Sequence, residues 1–298
     1  MRKVQILTDS CSDLTPYLME KYGVDYAKMN TVYEEKHTPA DLSWTDDEVH
    51  ALYGIMRGGN RVTTTQVPMD EFDRVFRYYL EKGCDIVYIG CSLKQSGSVN
   101  TARVLAAELL KEYPDAKISC VDSLHASMGE GILALDAAEF AKNGKTVEEI
   151  TAYVEERRKY LHQFCTVHTL EFLRKAGRVK ASSAFFGNLL GVKPIIIADA
   201  DGEQAAIKKV KGRANSLKEI VNMLKEAITE PENQTVYIAH SDCSKDEVNS
   251  VIDMIKKEIP CKDVYVGYIG PIIGASIGPD AVALFAFGKQ ITYRTAEK

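Results

Sequence analysis

A short apolar run that leads through a glycine- and hydroxyl-rich turn into a helix most constrains the fold of this chain. Residues 85–89 are β-branched and bounded by glycine, which predicts a short buried strand. Apolar residues then recur at helical spacing over 99–110. The turn between them contains Ser96 and Ser98, and the free N–H groups at a helix N-terminus suit an anion. The same serines could instead serve only as helix caps.

Strand and helix patterns alternate through the first half of the chain. Strands are predicted over 4–7, 24–32 and 117–122. Helix starts are indicated by Thr15 followed by Pro16, and by capping boxes that begin at Thr45 and Thr146, the last of these helices running to about Leu161. This alternation predicts an α/β domain with a mainly parallel, Rossmann-like sheet and flanking helices.

The second half has a different pattern, which predicts a second α/β domain with a mixed sheet. Asp201-Gly202 lies between two apolar runs and is the strongest hairpin signal in the chain. Further strands are predicted over 164–169, 235–239, 263–267 and 281–287, with helices over 216–228 and 245–259, a glycine-rich apolar stretch over 184–192 and a glycine loop over 269–279. A length of 298 residues also fits two domains, which we place at 1–162 and 163–298.

A second hydroxyl-rich loop, at 61–68, also precedes a helix and contains Thr63, Thr64 and Thr65. Three threonines are β-prone and could form only an edge segment. Asp9 and Ser10 follow the first predicted strand, where ligands of open α/β sheets collect, although such residues commonly bond within their own loop. Two hydroxyl loops that both lead into helices favour a shared polar pocket.

Composition excludes several classes of function. The net charge of −5 argues against a nucleic-acid partner, because phosphate binding needs a basic face. Seven scattered cysteines without a C-x-x-C pair indicate free thiols in a reducing compartment. The longest uncharged run, 264–279, is interrupted by glycine and proline and is too short to span a membrane. With no signal-peptide core at the N-terminus, the sequence predicts a cytoplasmic protein.

Motifs for catalysis are missing from the sequence. It contains no P-loop, no Gly-x-Gly-x-x-Gly after the first strand, no Gly-x-Ser-x-Gly elbow and no clustered His/Cys set for a metal. A triad assembled from distant positions stays open, with Ser96, His125 and Asp9 as the trial set. A chain rich in loop hydroxyls and apolar segments but poor in catalytic groups favours binding of an amphiphile with a small polar head.

Several motifs together resemble the DegV family of bacterial fatty-acid-binding proteins, the binding subunits of fatty acid kinase. They occur in family order across nearly the whole chain. The segments are Asp9-Ser10-Cys11-Ser12-Asp13, Thr64-Thr65-Gln66, Ser96-Gly97-Ser98, Asp122-Ser123 with 126–131, 169–178 and 269–279.

The resemblance implies one long-chain fatty acid bound between two α/β domains, with no other cofactor and no metal. It implies that the threonine loop and the Ser-Gly loop hold the carboxylate, and a separate kinase subunit then makes acyl phosphate with ATP. The carboxylate residues that the family motifs indicate are Thr64, Thr65, Ser96, Gly97, Arg174 and Ser276. The basic stretch 208–213, ending in Arg213, resembles the segment that docks the kinase, or it is a solvated strand edge.

This chain departs from the family pattern at a few positions. Ser276 stands where many members carry histidine, and Lys94 lies in a loop that is usually uncharged. The prediction is therefore a lipid-binding carrier without catalysis of its own. The alternative is a cleft enzyme, a hydrolase or phosphotransferase that acts on a small polar metabolite.

Overall fold

The computed structural model describes residues 2–186 and 191–295, which form two compact units. The first unit consists of the chain up to Ser43 together with Val62–Arg158. The second consists of Trp44–Arg61 together with the chain from Lys159 onward. Of the apolar stretch predicted over 184–192, residues 187–190 lie outside the described part of the chain.

The helices and strands alternate as the patterns predict. Up to residue 157 they are β1 (Lys3–Asp9), α1 (Pro16–Tyr22), β2 (Asp25–Ala27), β3 (Asn30–Tyr33), β4 (Lys36–Pro39), α2 (Asp46–Arg57), β5 (Thr63–Thr65), α3 (Met69–Glu81), β6 (Cys84–Gly90), α4 (Ser98–Glu112), β7 (Ile118–Asp122), α5 (Met128–Lys142) and α6 (Val147–Arg157). They continue with β8 (Leu161–Thr166), α7 (Glu171–Ala176), β9 (Val192–Ala198), β10 (Gln204–Lys211), α8 (Arg213–Ala227), β11 (Thr235–His240), α9 (Lys245–Glu258), β12 (Asp263–Tyr268), α10 (Pro271–Ile277) and β13 (Val282–Phe287). Short 3-10 helices occur at Arg158–Tyr160, Ser183–Phe186 and Pro231–Asn233.

The main sheet of the first unit is parallel, as predicted. Its strand order is β2-β1-β6-β7, and β6 is buried along its whole length. Helices α3, α4, α5 and α6 contact these strands. Both β1 and β6 therefore end at the same edge of the sheet, where Asp9 is the last residue of β1 and Ser96 lies in the loop that follows β6.

A second, three-stranded sheet in this unit corrects the strand predicted over 24–32. That segment forms two strands: β2 belongs to the parallel sheet, whereas β3 pairs antiparallel with β4 and β5. The chain leaves the parallel sheet after β2 because β3 pairs with the threonine segment, which lies more than 30 residues further on. Local periodicity carries no signal for such a pairing.

The second unit is built on a six-stranded mixed sheet, which confirms the predicted fold class. Its strand order is β10-β9-β8-β13-β11-β12, with β11 and β12 parallel and the other neighbours antiparallel. The predicted hairpin is the β9–β10 connection, where Gly202 has a φ of 82°. The core between the sheet and helices α8 and α9 contains Ile195, Leu224 and Val251.

Two predictions differ from the structure, one for the end of a helix in the first half and one for a loop in the second half. The helix predicted to reach Leu161 ends at Arg157, because Leu161 begins β8 and pairs with Phe287 of β13. The glycine loop predicted over 269–279 contains helix α10. Pro271 fits the first helical position and Gly278, with a φ of 82°, follows the last.

Helix α2 belongs by its contacts to the second unit, whereas the predicted domain ranges place it in the first. The Tyr53 side chain is fully buried and its hydroxyl donates to the Ile269 carbonyl at 2.6 Å. A Cβ atom on Gly274 would lie 2.4 Å from that hydroxyl, so glycine permits the close approach. Within residues 2–186 and 191–295, every helix is too short or too polar to span a bilayer.

Candidate functional site

The Ser-Gly loop leads from β6 into α4 through a relay of hydroxyl groups. The backbone N–H of Val67 donates to Ser98 Oγ at 3.2 Å, and Ser98 Oγ lies 3.0 Å from Ser96 Oγ. The backbone N–H of Ser98 donates to Ser96 Oγ at 3.2 Å. Ser98 is fully buried and Ser96 is half-buried. If Ser98 donates to Ser96, the Ser96 proton points outward and can be given to an anion.

The helix-cap alternative for these serines is partly right. Gly97 is the N-cap residue of α4, and no side chain bonds to the helix from that position. Ser96 instead accepts from the first helical N–H, that of Ser98. Its hydroxyl can still donate one proton, so capping and anion binding do not exclude each other.

The threonine segment is an edge strand, which confirms the alternative to a loop that its β-propensity allowed. In β5, Thr64 pairs with Thr31 and Thr65 pairs with Asn30 of β3. Because side chains alternate along a strand, Thr64 and Thr65 present their hydroxyls to opposite faces. The Asn30 amide donates to Thr65 Oγ1 at 3.5 Å. Among the described residues, the Thr64 hydroxyl has no hydrogen-bond partner, which leaves it available to a ligand.

Gln66 joins the threonine strand to the Ser-Gly loop. Its amide nitrogen donates to Thr101 Oγ1 at 2.8 Å, and its Oε1 would lie 2.2 Å from a Cβ on Gly97. Gly97 therefore has no room for a side chain while Gln66 holds this position. Together with the Val67–Ser98 bond, this contact brings the two predicted hydroxyl segments side by side in the first unit.

Arg174 and Ser276 lie in the second unit, on helices α7 and α10. These two helices contact each other, and a Cβ on Gly278 would lie 2.4 Å from the ring of Phe172. Arg174 is exposed and Ser276 is half-buried.

Arg213 begins helix α8 and is engaged inside the second unit. Its guanidinium makes a two-point ion pair with Glu247, at 2.7 and 2.8 Å, and donates to the Asp280 carbonyl at 2.8 Å. Its side chain is only 15% exposed. Burial alone would raise the pKa of Glu247, but the bonds from Arg213 outweigh it and hold that pKa below its ordinary value.

Asp9 occupies the buried floor beneath the Ser-Gly loop, and its role there is structural. Asp9 Oδ1 accepts from the Cys11 N–H at 2.8 Å, and Oδ2 accepts from the Tyr88 hydroxyl at 2.6 Å. The Cys91 N–H also donates to Oδ2, at 3.5 Å. Burial raises the pKa of Asp9, although these hydrogen bonds oppose the shift. Asp9 thus ties the end of β1 to the end of β6, which corresponds to the loop-bonding alternative.

The trial triad is not assembled by the described residues. Ser96 Oγ contacts Ser98, Asp9 contacts Tyr88, and His125 Nε2 lies 3.0 Å from the Arg158 carbonyl. A serine nucleophile requires the imidazole within hydrogen-bond reach of its hydroxyl.

Sequence reasoning missed the residues that support the site. The sequence patterns place Ser98 in the Ser-Gly motif but do not identify it as the partner of Ser96, and they do not single out Asn30 or Tyr88. Tyr88 carries a weak signal, since a tyrosine inside a fully buried strand needs a partner for its hydroxyl. The sequence gives no signal for Asn30, because the role of this residue depends on pairing with a distant strand.

These features define a class, an α/β protein with a parallel sheet beside which two hydroxyl-bearing segments lie together, followed by a mixed sheet. A family model described as "Uncharacterised protein, DegV family" matches residues 3–289. A DegV domain-containing protein of Clostridium perfringens is 35% identical over 295 residues, covering 97% of this chain and 98% of its own. Another, from Streptococcus pyogenes serotype M3, is 32% identical over 300 residues, covering 96% and 98%. The chain belongs to the DegV family.

Solved structures are similar over the same length. One is a DegV lipid-binding protein from Thermotoga maritima, with 27% identity, a TM-score of 0.84 and coverage of 97% of this chain and 100% of that one. Another, from Thermus thermophilus, is described by its fatty acid binding, with 26% identity, a TM-score of 0.85 and coverage of 96% and 100%. The DegV fold predicted from the sequence motifs is thereby confirmed.

Proposed function

We propose that this protein binds one long-chain fatty acid, without catalysis of its own, and presents the carboxylate to a separate kinase subunit that forms acyl phosphate. One observation carries the proposal: the two hydroxyl segments meet in the first unit of a chain that belongs to the DegV family. Family members from Thermotoga maritima and Thermus thermophilus are described as lipid-binding and fatty-acid-binding proteins, which supports the ligand class.

The carboxylate is held in this proposal by the hydroxyls of Thr64 and Ser96. Both can donate a proton, and the positive end of the α4 dipole favours a negative charge beside Ser96. Gly97 contributes by leaving room for the ligand and for Gln66. Thr65, on the other face of β5, supports the strand through its contact with Asn30. Its predicted role at the carboxylate is therefore indirect.

The acyl chain supplies most of the affinity. Burying roughly 15 methylenes at ~0.8 kcal/mol each gives on the order of 12 kcal/mol before the costs of association. Hydroxyl bonds to a carboxylate contribute ~1.5–3 kcal/mol each and mostly offset its desolvation. The tail therefore sets affinity, while Thr64 and Ser96 set the position of the carboxylate.

Arg174 and Ser276 are proposed as further carboxylate residues and Arg213 as a kinase-docking residue. Ser276 is a neutral donor where many family members carry histidine, so Arg174 is the cation of this set. Arg213 is bonded to Glu247, so a variant at this position also breaks an internal ion pair. The docking role is therefore tested together with a measurement of stability.

Denaturing extraction of the purified protein, followed by mass spectrometry, tests the ligand. We expect about one fatty acid per chain, of roughly C14–C18 length. A protein that carries no lipid and does not bind added palmitate or oleate after delipidation contradicts the proposal. Turnover of a small polar metabolite by the isolated protein would favour the cleft enzyme.

Presentation is tested in a coupled assay with ATP and a purified fatty acid kinase ATP-binding subunit, trapping acyl phosphate with hydroxylamine. We expect product only when both proteins are present. Thr64→Ala should reduce product formation, whereas Thr63→Ala, on the opposite face of β5, is the matched control. Lipid-loaded protein that yields no product with any such subunit overturns the presenting role and leaves lipid binding standing.

A further inference from the structure

Two thiols and a carboxyl group meet in the core of the first unit, below the Ser-Gly loop. Cys11 follows β1, Cys91 follows β6 and Glu130 lies in the first turn of α5. Cys11 Sγ, Cys91 Sγ and a carboxylate oxygen of Glu130 all lie within 4.8 Å of one another. The three side chains are 2%, 1% and 0% exposed, and both cysteines are free thiols. We call this set the Cys-Cys-Glu cluster.

Among the described residues, one oxygen of Glu130 has no hydrogen-bond partner. Glu130 Oε1 accepts from the Thr8 hydroxyl at 2.6 Å and from the Asp9 N–H at 3.4 Å. Glu130 Oε2 is buried and makes no hydrogen bond within the described part of the chain. Buried polar atoms are nearly always satisfied, so an unpartnered carboxyl oxygen beside two thiols calls for a ligand. A cation at the centre of the cluster would supply the missing interaction.

We propose that Cys11, Cys91 and Glu130 form a binding site for a single thiophilic metal ion, of the zinc or copper(I) kind. Two sulfurs and a carboxylate are a donor set that zinc accepts. Around a tetrahedral zinc with bonds of about 2.3 Å to sulfur, the sulfurs are separated by about 3.8 Å. The three ligand atoms, all within 4.8 Å of one another, are therefore close enough to share one ion.

Met29 adds a soft donor at the edge of the cluster. Its Sδ lies 3.4 Å from Cys11 Sγ, and Met29 is buried. Thioethers are ligands of copper(I), whereas zinc prefers nitrogen, oxygen and thiolate. Met29 therefore distinguishes the two ions, since it would contribute to a copper(I) site and remain a packing residue beside zinc.

The surroundings hold the cluster in place. A Cβ on Gly131 would lie 2.6 Å from the Ser12 carbonyl, so α5 is pressed against the loop that carries Cys11. The Cys11 and Cys91 N–H groups both donate to Asp9. On binding a divalent ion, both thiols and the carboxyl group would exchange their protons for bonds to the metal, and the protons would leave to solvent. Because the cluster is buried, the ion enters during folding.

The test uses the full chain, produced in medium supplemented with zinc or copper and purified under reducing conditions without chelator. Metal per chain is measured by inductively coupled plasma mass spectrometry. We expect about one ion in the wild type and at least about a tenfold loss in Cys11→Ser and Cys91→Ser. Cys120→Ser, in the neighbouring strand β7, is the matched control and keeps the metal. Met29→Leu should lower copper content only, if copper(I) is the ion.

Cobalt(II) provides a measurement that does not depend on a variant folding. Wild-type protein refolded with cobalt(II) should show a sulfur-to-cobalt charge-transfer band in the near ultraviolet, and Glu130→Gln should shift or weaken it. Less than about 0.1 ion per chain after both supplementation and refolding overturns the site. Equal metal content in Cys11→Ser, Cys91→Ser and Cys120→Ser also overturns it, because the ion would then be bound elsewhere.

Discussion

The α-carbon of Gly131 lies so close to the Ser12 carbonyl that an added Cβ would be 2.6 Å from that oxygen. Gly131 lies inside helix α5, where alanine is normally preferred by about 1 kcal/mol. The obstacle is backbone, which cannot rotate away. We therefore expect Gly131→Ala to destabilise the protein by about 1–3 kcal/mol, despite the gain in helix propensity.

Gly54 is the matched control for this substitution. It is exposed, lies inside helix α2, and an added Cβ would have open space around it. Gly54→Ala should stabilise by about 0.5–1 kcal/mol. Urea unfolding of both variants checks the pair, and stabilisation by Gly131→Ala would show that the close approach to Ser12 is not maintained.

Removing the Ser96 hydroxyl should affect the position of the carboxylate more than the amount of lipid bound. The tail dominates the proposed affinity, so Ser96→Ala should retain lipid with at most about a tenfold loss of affinity. The carboxyl resonance of ¹³C-labelled palmitate should broaden or shift towards its value in water. Asn100→Ala, at an exposed position of the helix that follows the loop, is the control. Equal loss of lipid and of carboxylate order would contradict this division between tail and head group.

Local signals predicted the capped helix starts well, because capping is decided by neighbours in sequence. Thr45 and Glu48 form the predicted capping box, as do Thr146 and Glu149. At α1, Thr15 caps the start and Gly23 ends the helix with a φ of 69°. The Asp201-Gly202 hairpin was likewise predictable from residues that are neighbours in sequence.

Non-local contacts explain what the sequence did not predict. The β-propensity of Thr63–Thr65 allowed an edge strand, but its partner β3 could not be predicted from neighbouring residues. Leu161 leaves the helical pattern because β13, more than 100 residues later, pairs with β8. In the candidate site, the hydroxyl segments were found from composition, but the Val67–Ser98 bond that joins them requires the folded sheet. In the same way, the sequence predicts Glu130 only as an ordinary helix residue, and its burial depends on the packing of α5 in the folded protein.

His240 should make stability depend on pH below neutrality. It lies at the end of β11, and burial lowers its pKa to about 4, with nearby carboxylates only partly opposing the shift. Above the unfolded pKa of about 6.5, the histidine is neutral in both states and the free energy of unfolding does not depend on it. As the pH falls from about 6.5 towards 4, the unfolded state takes up a proton that the folded state does not, so the free energy of unfolding decreases. We expect about 2–3 kcal/mol to be lost across that window.

His240→Asn should remove most of this dependence. The Asn carbonyl can accept from the Cys243 N–H as His240 Nδ1 does at 3.3 Å. His37→Asn, at an exposed position of β4, is the control and should follow the wild type. Denaturant unfolding at intervals between pH 7.5 and 4 provides the measurement. A wild-type slope that persists in His240→Asn would assign the pH dependence to other groups.

The Arg213–Glu247 pair gives a second pH dependence, at lower pH, and bears on kinase docking. Because the pKa of Glu247 is lowered in the fold, its contribution to stability is present above the ordinary carboxyl pKa and is lost as the pH falls through the lowered value. Breaking one side of a partly buried ion pair costs more than removing both, so Arg213→Met should destabilise by about 2–4 kcal/mol at pH 7. Arg213→Met with Glu247→Leu should recover part of this loss. If kinase coupling stays low in the restabilised double variant, Arg213 contributes to docking directly; if coupling returns with stability, its role is to hold α8 against the α9 carboxylate.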